Sequence, residues 1–142
     1  MSSILDAAPT EIDRPKPLPV GSYICVVKGL PRYDKSSKKQ TEFVEFVLQP
    51  IAVRDDVDAE ELEAMGGFAN KTIKATFYLT EDAVYRLDEF HEHCGIELED
   101  GVSRRQRNEQ TVNKQVGAFI RHEANQDGTA IFGRLGSTFI VE

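Results

Sequence analysis

Between Lys71 and Cys94 the apolar residues change their spacing once. Ile73, Ala75, Phe77 and Leu79 alternate with Thr72, Lys74, Thr76 and Tyr78, the period of a strand with one face in a core. After Thr80 the period becomes helical. Ala83, Leu87, Phe90 and Cys94 fall at i, i+4, i+7 and i+11, with Val84 beside them, making one apolar stripe. Thr80 suits an N-cap, and Glu81 and Asp82 suit the positive end of the helix dipole. Gly95 followed by Ile96 suits a Schellman-type stop. Whatever fold the chain adopts must carry a half-buried strand running into one amphipathic helix.

Strand signals surround this unit. Gly21 to Gly29 is rich in β-branched and aromatic residues, and Asp34-Lys-Ser-Ser-Lys-Lys39 follows as a polar turn. From Thr41 to Val53, Val44, Phe46 and Leu48 share one face and Phe43, Glu45 and Val47 the other. Pro50 points to an edge or a bulge there. A fourth strand is expected from about Gln115 to Glu123, then the hairpin signal Asn125-Gln-Asp-Gly128, then a fifth from Thr129 to Leu135. Ser137 to Val141 extends that strand or adds a last one. The acidic stretch Asp55 to Met65 reads as a solvated loop with a helical turn, and residues 97–114 are polar and without assignment.

The order strand, strand, strand, helix, strand, strand predicts a mainly β chain. The matching architecture is an OB-fold-like five-stranded Greek-key barrel with one helix between strands 3 and 4. Other β-barrels and α+β sandwiches share parts of this order. The length of 142 residues fits one such domain over residues 18–142. Residues 1–17, interrupted by Pro9, Pro15 and Pro17, read as an extended tail.

No catalytic motif of the GxSxG, HExxH, GxGxxG or P-loop kind occurs, so neither an enzyme nor a cofactor is expected. His91-Glu-His93-Cys94 has metal-binding residue types. However, His93 points away from His91 on a helix, and no second cluster completes a tetrahedral site. Cys25 and Cys94 belong to no CxxC pair and read as buried thiols of a reducing compartment. No apolar run approaches the ~20 residues that cross a bilayer, and Met1 to Leu18 has no apolar signal core. A cytoplasmic location without membrane contact is the expectation.

The net charge of −7 opposes nucleic-acid binding on average. Six acids, Asp55, Asp56, Asp58, Glu60, Glu61 and Glu63, sit in one short segment, and without them the remainder is −7 + 6 = −1. Local distribution therefore decides. Lys28, Arg32, Lys35, Lys38 and Lys39 gather around the first turn, flanked by Tyr33 and Phe43. Cations that track phosphates and rings that stack on bases are what single strands need; a lysine-rich turn that is merely solvated has the same composition. On strands, Lys74 and Tyr78 face out if Ile73, Ala75 and Phe77 face in. With a two-residue loop, Arg121 opposes Phe132 and Phe119 opposes Arg134, a possible stacking platform. A three-residue loop reverses the relative faces. Ser103-Arg-Arg-Gln-Arg107 is either an arm that joins the groove or a solvated loop.

Three stretches carry a family resemblance: Leu18-Pro-Val-Gly-Ser-Tyr23, Lys35-Ser-Ser-Lys-Lys39, and Phe77-Tyr-Leu-Thr-Glu-Asp-Ala83 leading into Arg86-Leu-Asp-Glu-Phe90 and Cys94-Gly-Ile96. Over about residues 18–142 the chain resembles the phage-encoded OB-type single-stranded DNA-binding proteins and their uncharacterised relatives. That resemblance implies non-specific binding of single-stranded DNA in phage replication or recombination, with no catalysis and no cofactor. Replication or recombination proteins are then possible partners, and an oligomer is possible. Many single-strand binders end in an acidic tail that recruits partners, whereas Ser137 to Glu142 here reads as strand, and the acids are internal. The candidate DNA contacts are Lys28, Arg32, Lys35, Lys38, Lys39, Lys74, Arg121 and Arg134 for phosphates, and Tyr33, Phe43, Tyr78 and Phe132 for bases. The rival expectation is a protein-interaction module, a virion component or regulator of a host enzyme, that uses the acidic segment and the proline-bearing tail.

Overall fold

The computed structural model describes residues 17–97, 99–124 and 131–141, with Ile131 and Phe132 described in backbone only. Residues 1–16 of the expected tail and the turn at residues 125–128 lie outside the described residues. The elements are β1 (Gly21–Val27), β2 (Arg32–Lys35), β3 (Glu42–Val53), α1 (Ala59–Ala64), β4 (Ile73–Tyr78), α2 (Tyr85–His93), α3 (Arg104–Gln110), β5 (Gln115–Ala124) and β6 (Ile131–Phe139). They form an open antiparallel sheet of six strands in the order β2-β3-β1-β5-β6, with β4 paired to β3.

The long strand β3 organises the sheet. Val44 pairs with Tyr33 of β2 and Phe77 of β4, and Leu48 pairs with Val27 of β1 and Ile73 of β4. Thus β1 and β2 share one edge of β3, separated by Lys28–Pro31, and β4 takes the other. Pro50 marks the bulge the sequence suggested: it lies opposite Cys25, where the β1–β3 register shifts. The apolar face joins the alternating sets read from sequence in β3 and β4 to inward residues of β5. Val44, Phe46, Leu48, Ala75, Val116 and Ala118 are wholly buried, and Ile73, Phe77 and Ile120 nearly so. Helix α2 lays Leu87, Phe90 and Cys94 onto this face. The Phe90 ring lies 4.7 Å from Phe46 and 5.0 Å from Phe77. Cys25 and Cys94 are free and buried, and burial pushes both thiols up to about 12.

Helix α2 starts later than its cap signal suggests. Thr80 first closes a turn, its Oγ1 and carbonyl both accepting from the Ala83 N–H, and helix proper begins at Tyr85. Its stop is the expected one. Gly95 has φ +80°, and the N–H groups of Ile96 and Gly95 donate to the carbonyls of His91 and Glu92.

Three features differ from the sequence expectation. The short strand β2 is exposed throughout, so it carries no buried face for a period-two pattern to report. A helix, α3, lies within residues 97–114. It is started by a capping box in which Ser103 and Gln106 satisfy each other's backbone N–H groups. Finally, the sheet is not closed. β4 and β6 come within 8 Å between α-carbons but share no ladder among the described residues. Part of the space between them is filled by the incoming chain. The Leu18 carbonyl accepts from His122 Nε2 at 2.8 Å, and a Cβ on Gly133 would lie 3.3 Å from Pro17 Cβ.

Candidate nucleic-acid interface

Opposed residues in an antiparallel ladder project from the same face, so the outer face can be read from the register. Asp34, Phe43 and Tyr78 form one row, Arg32, Glu45 and Thr76 the next, and Val47 and Lys74 a third. The Lys28 N–H bonds the Val47 carbonyl at 2.8 Å, which sets Lys28 beside that third row. Phe43 and Tyr78 meet edge to face, with ring centroids 6.2 Å apart, and Tyr78 is 46% exposed. The Arg32 guanidinium lies 5.3 Å from the Phe43 centroid.

Arg32 is not a free cation. It bonds Asp34 at 2.7 Å and reaches Glu45 at 3.5 Å. Thr76 Oγ1 donates to the other Glu45 oxygen at 3.3 Å. A half-hidden carboxylate thus sits in the middle of the outer face, between the rings and Lys74.

The gap between β4 and β6 brings a further pair of predicted residues to this face. Tyr78, Lys74 and Lys71 from one edge and Arg134 from the other line a hollow of about 740 Å³ floored by Ile73, Ile120 and Leu135. Arg134 Nε bonds Glu123 at 2.8 Å. Arg121 lies opposite Arg134, and Glu123 opposite Phe132. The sequence expectation that Arg121 opposes Phe132 and Phe119 opposes Arg134 is therefore corrected by two residues, with a bulge between Phe119 and Ile120. The expected cation–π pairings are therefore not formed. The Phe132 side chain lies outside the described residues.

The first turn does not act as one cluster. Tyr33 and Lys35 alternate with Arg32 and Asp34 along β2, and Tyr33 opposes the buried Val44. Tyr33 and Lys35 thus leave the strand on the side opposite Phe43. Lys38 and Lys39 are exposed at the tip between β2 and β3. Lys71 and Arg54 are not among the sequence candidates, and Arg105 belongs to the Ser103-to-Arg107 stretch read there as either an arm that joins the groove or a solvated loop. Lys71 lies two residues before β4 and lines the hollow between β4 and β6. Arg105 lies 4.6 Å over the Tyr33 ring from α3. Arg54 lies 5.0 Å over Phe139, whose ring packs on Gly117. Each depends on register or on a helix with no apolar stripe, which spacing alone does not reveal.

The acids are held elsewhere. Asp58 caps α1 by accepting from the N–H groups of Glu60 and Glu61. Asp56 accepts from the Ser22 hydroxyl and N–H at 2.7 and 2.9 Å, which lowers its carboxyl below the usual range. This pins the acidic loop to the start of β1, at the end of β3 away from Phe43. Twelve residues of β3 at about 3.3 Å each put roughly 35 Å between the two ends.

Among the described residues, no group of three or more His, Cys, Asp or Glu side chains is placed to hold a metal ion. His91 Nε2 bonds Asn108 Oδ1, His93 Nδ1 bonds Thr138 Oγ1, and Cys94 is in the core. No described helix is long and apolar enough to cross a membrane. No family model matches the chain, and a search of curated proteins finds no significant match.

Proposed function

We infer that the protein binds single-stranded DNA without sequence preference, on the outer face of β3 and β4 and along the gap between β4 and β6. One observation carries the reading. The exposed Tyr78 and the partly exposed Phe43 stand at the end of β3 away from the loop that holds the surplus acids, and Tyr78 shares a hollow with Lys74 and Arg134. Rings beside cations suit a flexible chain of bases and phosphates. We read the connectivity as an OB-type barrel parted at one seam. β1 and β2 act as one bent strand between β3 and β5, and the main helix precedes β5. The family resemblance extends this to phage replication or recombination, in the host cytoplasm, with no catalytic step and no cofactor.

Titration of labelled oligo-dT and a matched duplex, each at low and moderate salt, tests the reading. The expected result is preference for oligo-dT, with affinity falling steeply as salt rises. Absence of oligo-dT binding at low salt removes the assignment. A second reading, a protein-interaction module, is favoured by the hollow of Ser22, Arg54, Phe139 and Ile140, where Ile140 is 54% exposed. Substituting Ile140→Ser and leaving oligo-dT affinity unchanged is expected if DNA uses the other face.

A further inference from the structure

The Tyr33 ring leaves β2 on the side opposite Phe43 and Tyr78, so the interface described above does not use it. Yet this ring is held more firmly than either of them. Tyr33 is 40% exposed, but its hydroxyl accepts from Asn108 Nδ2 at 3.0 Å. Asn108 is 2% exposed, and its Oδ1 accepts from Nε2 of the fully buried His91 at 2.7 Å. One end of a ring that is 40% exposed is therefore anchored through α3 to α2.

Arg105 lies over one face of that ring, with its guanidinium 4.6 Å from the ring centroid. The other arginines of α3 are occupied. Arg104 makes two bonds to Asp88, and Arg107 donates to the Glu99 carbonyl. Arg105 is exposed and makes no ion pair among the described residues. An open hollow of about 590 Å³ runs from Tyr33 and Arg105 past Lys35 and Gln40 to Phe43 and Leu79. It joins the two rings around the end of the β2–β3 hairpin, and its size is in the range of small-molecule sites.

We propose that Tyr33 and Arg105 form a second nucleotide subsite, taking a base on the Tyr33 ring and the adjoining phosphate on Arg105 and Lys35. A bound single strand then turns around the β2–β3 hairpin instead of staying on one sheet face. The subsite rests on the single-strand reading above and adds to it the direction in which a longer ligand extends. A strand long enough only for Phe43 and Tyr78 has no need of Tyr33; a longer one gains from it.

The test compares oligo-dT of about four and about twelve nucleotides, lengths that span the range one such domain covers. Tyr33→Leu and Arg105→Ala are each expected to weaken the longer oligonucleotide about tenfold and leave the shorter within about twofold, the size of one lost stacking contact. Phe43→Leu is expected to weaken both. Ultraviolet crosslinking of wild type to the longer strand is expected to give a Tyr33 adduct. If Tyr33→Leu fails to fold, Arg105→Ala and the crosslink decide. Wild-type binding of both oligonucleotides, with no effect of Arg105→Ala and no Tyr33 adduct, overturns the subsite alone. Failure of wild type to bind either oligonucleotide overturns the single-strand reading and the subsite with it.

Discussion

His91 is buried with one ring nitrogen satisfied and the other, Nδ1, without a partner among the described residues. Asn108 Nδ2 donates to Tyr33, so its Oδ1 faces the imidazole and Nε2 carries the proton. A second proton on Nδ1 has no acceptor. Desolvation lowers the His91 pKa below its usual 6.5; the Asn108 bond and Asp88 oppose that shift, and Arg107 and Arg104 add to it. The unfolded chain therefore binds the proton first as pH falls, so this residue's contribution is complete above about pH 6.5 and is lost below it. Protonating the unfolded imidazole alone limits the loss to about 1.4 kcal/mol at roughly pH 5.5, a drop of about 4 °C in Tm. Thermal melts above about pH 6.5 and at about pH 5.5 are expected to show a drop of no more than this size in wild type and a smaller one in His91→Gln; equal drops in both would exclude His91 as the cause. Glu45 makes an opposite kind of prediction. Its carboxylate ties up Arg32 and faces the proposed phosphate path, so Glu45→Gln is expected to tighten oligo-dT about threefold, the scale of one partly screened charge. Weaker binding would mean that Glu45 itself contacts the ligand.

Elements were legible in the sequence where a short-range pattern also reports burial. The stripe Leu87, Phe90 and Cys94, its glycine stop and the alternation of β3 and β4 all follow from local spacing, because the buried face repeats within a turn or a pleat. β2 and α3 were not legible, since neither presents a repeating apolar face. β2 is exposed, and α3 buries only Asn108. The candidate site was half legible for the same reason. Residue types and outward faces of Lys74, Tyr78 and Phe43 follow from alternation, but the side on which Tyr33 leaves β2 and the partner of Arg134 depend on register. Gly117 shows how much register hides. In sequence it only interrupts a strand, yet a Cβ there would lie 2.1 Å from the Phe139 ring, which Arg54 covers from outside. Gly117→Ala is expected to expel that ring and cost about 1–3 kcal/mol, the usual range for overpacking. Chemical denaturation measures it, and an unchanged midpoint would show that Phe139 does not depend on the missing side chain.

At the scale of the whole molecule, the net charge of −7 and a nucleic-acid reading are compatible only if distance separates the two signs. The acidic loop is tied to Ser22 through Asp56, the Phe43–Tyr78 row stands roughly 35 Å away along β3, and Lys74, opposite Val47, about 20 Å away. At physiological salt the screening length is about 8 Å, so the acids act weakly on a phosphate at the far end; at about 0.01 M salt it reaches about 30 Å and they act across the molecule. Asp55, Glu60 and Glu63 make no side-chain bonds among the described residues, so their charges can be removed without breaking the Asp58 cap or the Asp56 anchor. The triple variant Asp55→Asn, Glu60→Gln, Glu63→Gln is expected to bind oligo-dT within about twofold of wild type at physiological salt, and several-fold tighter at low salt. Its plot of log affinity against log salt is therefore expected to be steeper, although no phosphate contact has been added. A large gain already present at physiological salt would place the acids within a screening length of the bound strand, and the ligand path would then have to run toward α1.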